Sequence, residues 1–156
     1  MKLDMLFEGE AWYTTEGAWI YPPSEAAGYA EGAGAIAGPA ITGELRWSNR
    51  ARRRSDGIWF VDIRGYITTS DRARILLRMS GRSLPEHEPQ QTRDVVLWAS
   101  LECEDERYAW LGDVAAVVEG RFDPRRGSLR LRVFGCTNEL PAEEDQVVHS
   151  MGRSGL

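Results

Sequence analysis

Seven stretches of the chain alternate apolar and polar residues with a period of two. They are LDMLFEGEAWY (3–13), AITGELRW (40–47), IWFVDIRGYITT (58–69), ARILLRMSG (73–81), DVVLWASLEC (94–103), DVAAVVEGRF (113–122) and SLRLRVFGC (128–136). That period puts successive side chains on opposite faces of a strand, and the Val, Ile, Leu and aromatic content suits a pleated surface. The separators RRSDG, TSDRA and DPRRG carry turn chemistry. FDPRRGS is the plainest hairpin, with Pro124 suited to the start of a turn and Gly127 to a positive φ.

Seven strands without a convincing helix predict an all-β antiparallel sandwich or barrel. DERYAWLGDVAAVV has a short acidic start, but Gly112 interrupts it early. Residues 22–39, PPSEAAGYAEGAGAIAGP, are small and Gly/Pro-rich, and they read as a long loop leading into a strand. From Glu139 the chain turns acidic and polar. One domain over 3–136 with a peripheral tail over 137–156 is the expected organisation.

Composition narrows the function classes. At 156 residues the chain is long enough for one real core, and 42% hydrophobic with 28% charged residues is ordinary for a soluble globular protein. No apolar run approaches the roughly 20 residues of a membrane span. MKLDMLFEGEAW lacks the layout of a signal peptide, so a cytoplasmic protein with no membrane partner is expected. A net charge of −5, from 24 acidic and 19 basic residues, argues against nucleic acid as a partner. The local exception is NRARRRSDG, where Arg50, Arg52, Arg53 and Arg54 crowd what reads as a loop. Such a cluster suits an anion, although a solvated turn is the simpler reading. Cys103 and Cys136 sit near strand ends, and without a secretion signal they are expected to be free thiols buried as small hydrophobes.

GAGAIAG (32–38) superficially matches a dinucleotide-binding glycine loop. Pro39 and an alternating strand follow it, so the required helix and βαβ frame are absent. His87 lies in PEHEP and His149 in the tail, and no second His or Cys pair shows ligand spacing. No metal and no cofactor are expected.

Asp62 and Arg64 share one face of the 57–69 stretch, about 6–7 Å apart along the strand. A carboxylate beside a guanidinium is held ionised. The pair can serve as a base with an oxyanion clamp, or as a surface ion pair that fixes strand register.

Further segments carry a resemblance. IAGPAITGEL (36–45), WFVDIRGYITTSD (59–71) and LECEDERYAWLGDVAAVVEGRF (101–122) resemble the small barrel family called domain of unknown function 3237. Its pattern maps to Gly38-Pro39 with Gly43, to Asp62-x-Arg64 with Thr69, and to Leu101-Glu102 followed by Tyr108-x-Trp110-Leu111. The chain departs from the family pattern at SNRARRRS, at SDRAR and at Gly112. The resemblance implies a closed antiparallel barrel, similar to lipocalin-like and allene-oxide-cyclase-like barrels, often assembled into oligomers. It implies no particular reaction.

Both faces of 57–69 hold aromatics, Trp59 on one and Phe60 with Tyr66 on the other, so both call for cover. The expectation is a polar row lining the lumen and an apolar row at a subunit interface of a homo-oligomer. The lumen then holds a small hydrophobic or aromatic ligand. Asp62 is the candidate base or orienter and Arg64 the clamp, with Glu44, Tyr66, Trp98, Glu102, Tyr108 and Trp110 as walls. Cofactor-free isomerisation, cyclisation or elimination beside a carbonyl suits such a site. The competing classes are a non-catalytic binding barrel and a structural oligomer with no small ligand.

Overall fold

A computed structural model describes residues 1–23, 25–85 and 92–142. His87, His149 and most of the tail lie outside the described residues. Among the described residues, nine strand segments form one antiparallel sheet: β1 (Lys2–Tyr13), β2 (Ala18–Ile20), β3 (Ala26–Ala37), β4 (Gly43–Arg53), β5 (Trp59–Thr69), β6 (Arg74–Ser83), β7 (Arg93–Glu102), β8 (Ala116–Asp123) and β9 (Ser128–Thr137). The lateral order is β1-β9-β8-β7-β6-β5-β4-β3-β2, and β1 also pairs with β3. That last pairing closes the sheet. The short β2 continues the line of β1 along β3, so the wall is an eight-strand closed antiparallel barrel. Closure removes the unpaired edges that an open sheet would present.

All seven sequence-predicted strands are present, with shifted ends. Two expectations are corrected. Residues 22–39 are not a loop: Ala26–Ala37 is a strand paired along its length with β4 and, in turn, with β2 and β1. Its composition hid it, because Ala and Gly carry little periodicity. The arginine cluster is likewise not a loop, since β4 runs through Arg53 and its alternation sends Arg50 and Arg52 outward. Only Arg54 lies in the turn, where it pairs with Asp56 at 2.6 Å.

The two ends of the barrel are built differently. At one end Phe7, Ile67, Ile75 and Val133 are fully buried, and a single turn of 3-10 helix, Ala109–Asp113, drops Leu111 onto them with no exposure left. Burying a Leu this completely contributes about 1.5–3 kcal/mol. A latch holds that turn in place. The Tyr108 hydroxyl donates to Asp71 at 2.8 Å, and Thr69 Oγ1 donates to the same carboxylate at 2.5 Å. Arg107 reaches both Asp71 and Asp105. The hydroxyl donors from Thr69 and Tyr108, with Arg107 alongside, hold the Asp71 carboxyl below the ordinary carboxylate range. Cys103 and Cys136 are free and half-buried.

Candidate functional site

At the other end the lumen is not filled. The inward row of β3 is Ala26, Gly28, Ala30, Gly32 and Gly34, with nothing larger than a methyl until Ile36. That row makes room for two indoles. A Cβ added at Gly28 would stand 1.9 Å from the Trp19 ring, and one at Gly32 would stand 2.4 Å from the Trp47 ring. Tyr13, at the end of β1, meets Trp47 at 4.9 Å, Phe122 at 5.8 Å and Trp19 at 6.3 Å between ring centroids. Trp59, first residue of β5, packs edge-on against Trp19 at 5.8 Å. Together these rings wall a cavity of about 240 Å³, completed by Asn49, Ala51, Val61, Ser83, Arg93 and Val95 among others. An apolar cavity of about 150 Å³ holds a benzene ring, so this one is sized for one ring or two fused rings.

Polar groups around the cavity are few and fixed. Between the pairs Asn49–Ile63 and Arg52–Phe60 the β4–β5 ladder opens. The Asn49 side chain fills the gap: its Oδ1 accepts the Asp62 backbone N–H at 3.3 Å. Its Nδ2 donates to the Tyr13 hydroxyl at 3.2 Å. Burial pushes the Tyr13 hydroxyl above its ordinary pKa, partly offset by the hydrogen bond from Asn49, so it stays protonated through neutral pH. At the mouth the Arg53 and Arg93 guanidinium carbons lie 5.7 and 5.8 Å from the Trp59 ring centroid. Arg93 also donates to the carbonyls of Gly57 and Leu84. Among the described residues, no carboxylate lines the cavity.

The expected lumen face of β5 is corrected. Val61, Ile63, Ile67 and Thr69 are buried, with Trp59, Val61 and Ile63 on the cavity, while Asp62, Arg64 and Tyr66 face outward. The physical reason is core volume: the apolar row has the closed end to fill, and the outer aromatics find cover under arginines instead. Arg82 lies 3.9 Å from the Phe60 ring centroid, Arg74 5.7 Å from that of Tyr66, and Arg78 5.6 Å from that of Trp98. Asp62 is loosely shared by Arg64 at 3.8 Å and Arg78 at 3.9 Å. Glu44, Trp98 and Glu102 are exposed on the outer face. Tyr108 and Trp110 belong to the closed end, with Trp110 exposed. None of the eight predicted site residues lines the cavity. Among the described residues no group of His, Cys, Asp and Glu is placed to hold a metal ion.

The residues that do line it were visible only in part. The alternation of 57–69 puts Trp59 in the apolar row, but the lumen has two candidate faces until the wall is closed. Trp47 falls within 40–47, whereas Asn49 and Ala51 fall in the stretch read as a loop. The available signal was the Ala/Gly row of 26–34 opposite so many aromatics.

No family model matches the chain, and no curated protein does. Solved structures do. A beta-barrel-like protein from Acinetobacter baumannii is 15% identical, with 86% of this chain and 94% of that chain covered at a TM-score of 0.76. A protein of unknown function from Clostridium acetobutylicum is 15% identical, with 88% and 100% covered at a TM-score of 0.77. An enzyme from Penicillium herquei is 23% identical, with 86% and 92% covered at a TM-score of 0.65. At these identities the likeness establishes the barrel fold that this chain shares with them.

Proposed function

We propose that the protein binds a small, largely aromatic molecule in the open end of its barrel. The observation that carries this reading is the cavity of about 240 Å³ among Tyr13, Trp19, Trp47, Trp59 and Phe122. Aromatic rings are seldom left facing empty space, because apolar surface and ring faces both gain from contact. Concave apolar walls with a few fixed polar groups are the usual make-up of a small-molecule site. The test is equilibrium dialysis against a panel of one- and two-ring aromatics. Saturable binding at one site per chain supports the reading, and no binding by any member of the panel overturns it.

A catalytic version of this reading has one specific support: the neighbouring barrel from Penicillium herquei is described as an enzyme. Turnover in this pocket would be cofactor-free isomerisation, cyclisation or elimination on a carbonyl compound, with proton donation as the chemistry the lining offers. Incubation of bound panel members followed by mass spectrometry and chiral chromatography separates turnover from binding alone.

We also propose self-association. Outward-facing Leu76 and Val96 are each 61% exposed and Trp98 is 47% exposed. Arg78 and Arg82 on β6 lie to one side of Val96 and Trp98, Glu119 on β8 lies to the other, and Glu102 stands beside Leu76. A two-fold axis through Trp98 sets the basic side of one copy against the acidic side of another. Light scattering with wild type and Trp98→Glu tests it, the variant being monomeric if a second copy covers this face.

A further inference from the structure

The donors and acceptors at the gap between β4 and β5 can be followed to their end. A backbone N–H can only donate, so the atom of Asn49 that meets the Asp62 N–H at 3.3 Å must be its carbonyl oxygen. That choice fixes the amide, and its NH2 is then the group 3.2 Å from the Tyr13 oxygen. An amide NH2 has no lone pair to offer, so the Tyr13 oxygen accepts. Its own proton must point elsewhere. Among the described residues no acceptor takes it, and no carboxylate lines the cavity. Three rings hold the phenol from the sides, so it is not free to turn away to solvent.

We infer that Tyr13 reads an acceptor oxygen on the ligand: the pocket takes a flat aromatic compound bearing a carbonyl, enolate or phenolate oxygen, bound by the Tyr13 O–H. Asn49 is the positioning residue that aims this proton into the cavity. The inference rests on the pocket reading above and adds the ligand's chemical class and the residue that selects it. The same donor stabilises negative charge as it develops on that oxygen, so the selecting contact and any proton-donating chemistry share one atom. The raised pKa of Tyr13 keeps it a donor rather than a base.

The experiment compares 2-acetylnaphthalene with 2-isopropenylnaphthalene, near-equal in shape, one with an acceptor oxygen and one with a CH2 in its place. With the wild-type protein the ketone binds about tenfold tighter than the hydrocarbon, the effect of one well-aimed hydrogen bond at a buried site. Tyr13→Phe removes that preference and leaves the hydrocarbon's affinity unchanged. Asn49→Asp keeps the phenol but offers it a carboxylate oxygen, which draws the proton away from the ligand, so the ketone preference falls there too. Infrared spectra give a readout that packing alone does not move: the carbonyl band of bound ketone lies at lower frequency in wild type than in either variant. Equal affinities for the two probes, or a ketone preference that survives Tyr13→Phe, overturns the inference while the pocket stands. Failure of the whole aromatic panel to bind the wild type, these two probes included, removes the pocket and the inference together.

Discussion

The two ends of this barrel share one wall, yet one is solid and the other hollow. At the solid end the strands present Phe7, Ile67, Ile75 and Val133, and Leu111 stoppers them. At the hollow end β3 presents Gly28, Ala30 and Gly32, and the larger residues opposite are flat rings fixed by one another. Branched aliphatic side chains interdigitate and fill a lumen of this size. Rings propped over glycines leave a slot instead. The difference between a core and a pocket is therefore set by side-chain size on one strand, within one closed wall.

This contrast can be broken at either end. Leu111→Ala removes the stopper from the solid end and is expected to cost about 2–5 kcal/mol of stability, read by chemical denaturation. A loss under about 1 kcal/mol would mean that the closed end is not a core. Gly32→Ala pushes a methyl against the Trp47 ring and the Trp12 carbonyl, 2.4 and 2.6 Å away. It should cost about 1–3 kcal/mol and weaken aromatic ligands, since the ring that shifts is a wall of the slot.

The latch at the solid end adds an acid sensitivity of its own. Asp71 has its pKa lowered in the folded state, first by the Thr69 hydroxyl and then by Tyr108. Its contribution is therefore full above the ordinary carboxylate pKa of about 4 and is lost as the pH falls through the lower folded value. Melting curves between neutral pH and pH 3 should show a smaller acid loss for Asp71→Asn than for wild type. An identical loss would remove Asp71 from the account. The smallest effect is expected outside the wall: Asp62→Asn and Arg64→Met break a long, partly exposed pairing worth about 0–1 kcal/mol and leave ligand affinity untouched.

Much of the wall was legible in the sequence because alternation is local. Trp59, Val61, Ile63 and Ile67 declare a common face within one strand, whatever surrounds it. Which face points inward is not local. It depends on how eight strands share a fixed interior, and the pairing of arginines over Phe60, Tyr66 and Trp98 supplies outer cover that spacing along one strand does not reveal. For the same reason Asp62 and Arg64, spaced well for chemistry, belong to the exterior. β3 escaped notice because its meaning lies in what its residues lack. A row of Ala and Gly is unremarkable by composition and becomes a pocket floor only opposite Trp19 and Trp47. Asn49 was hidden differently: its role exists only at a gap in a ladder between two strands.

The claim at the centre of this account is that the hollow end, and not the outer face of β5, is where a ligand sits. Ser83 and Ala51 are buried and line the cavity. Ser83→Leu and Ala51→Leu each place apolar volume in the slot and leave the Tyr13 and Asn49 residues themselves unchanged. Calorimetric titration of 2-acetylnaphthalene into both variants, beside their melting curves, measures the claim directly. Ligand binding is expected to be lost in both while the melting temperature holds or rises. Undiminished binding to two stably folded variants would contradict it, and would place the ligand somewhere other than the lumen.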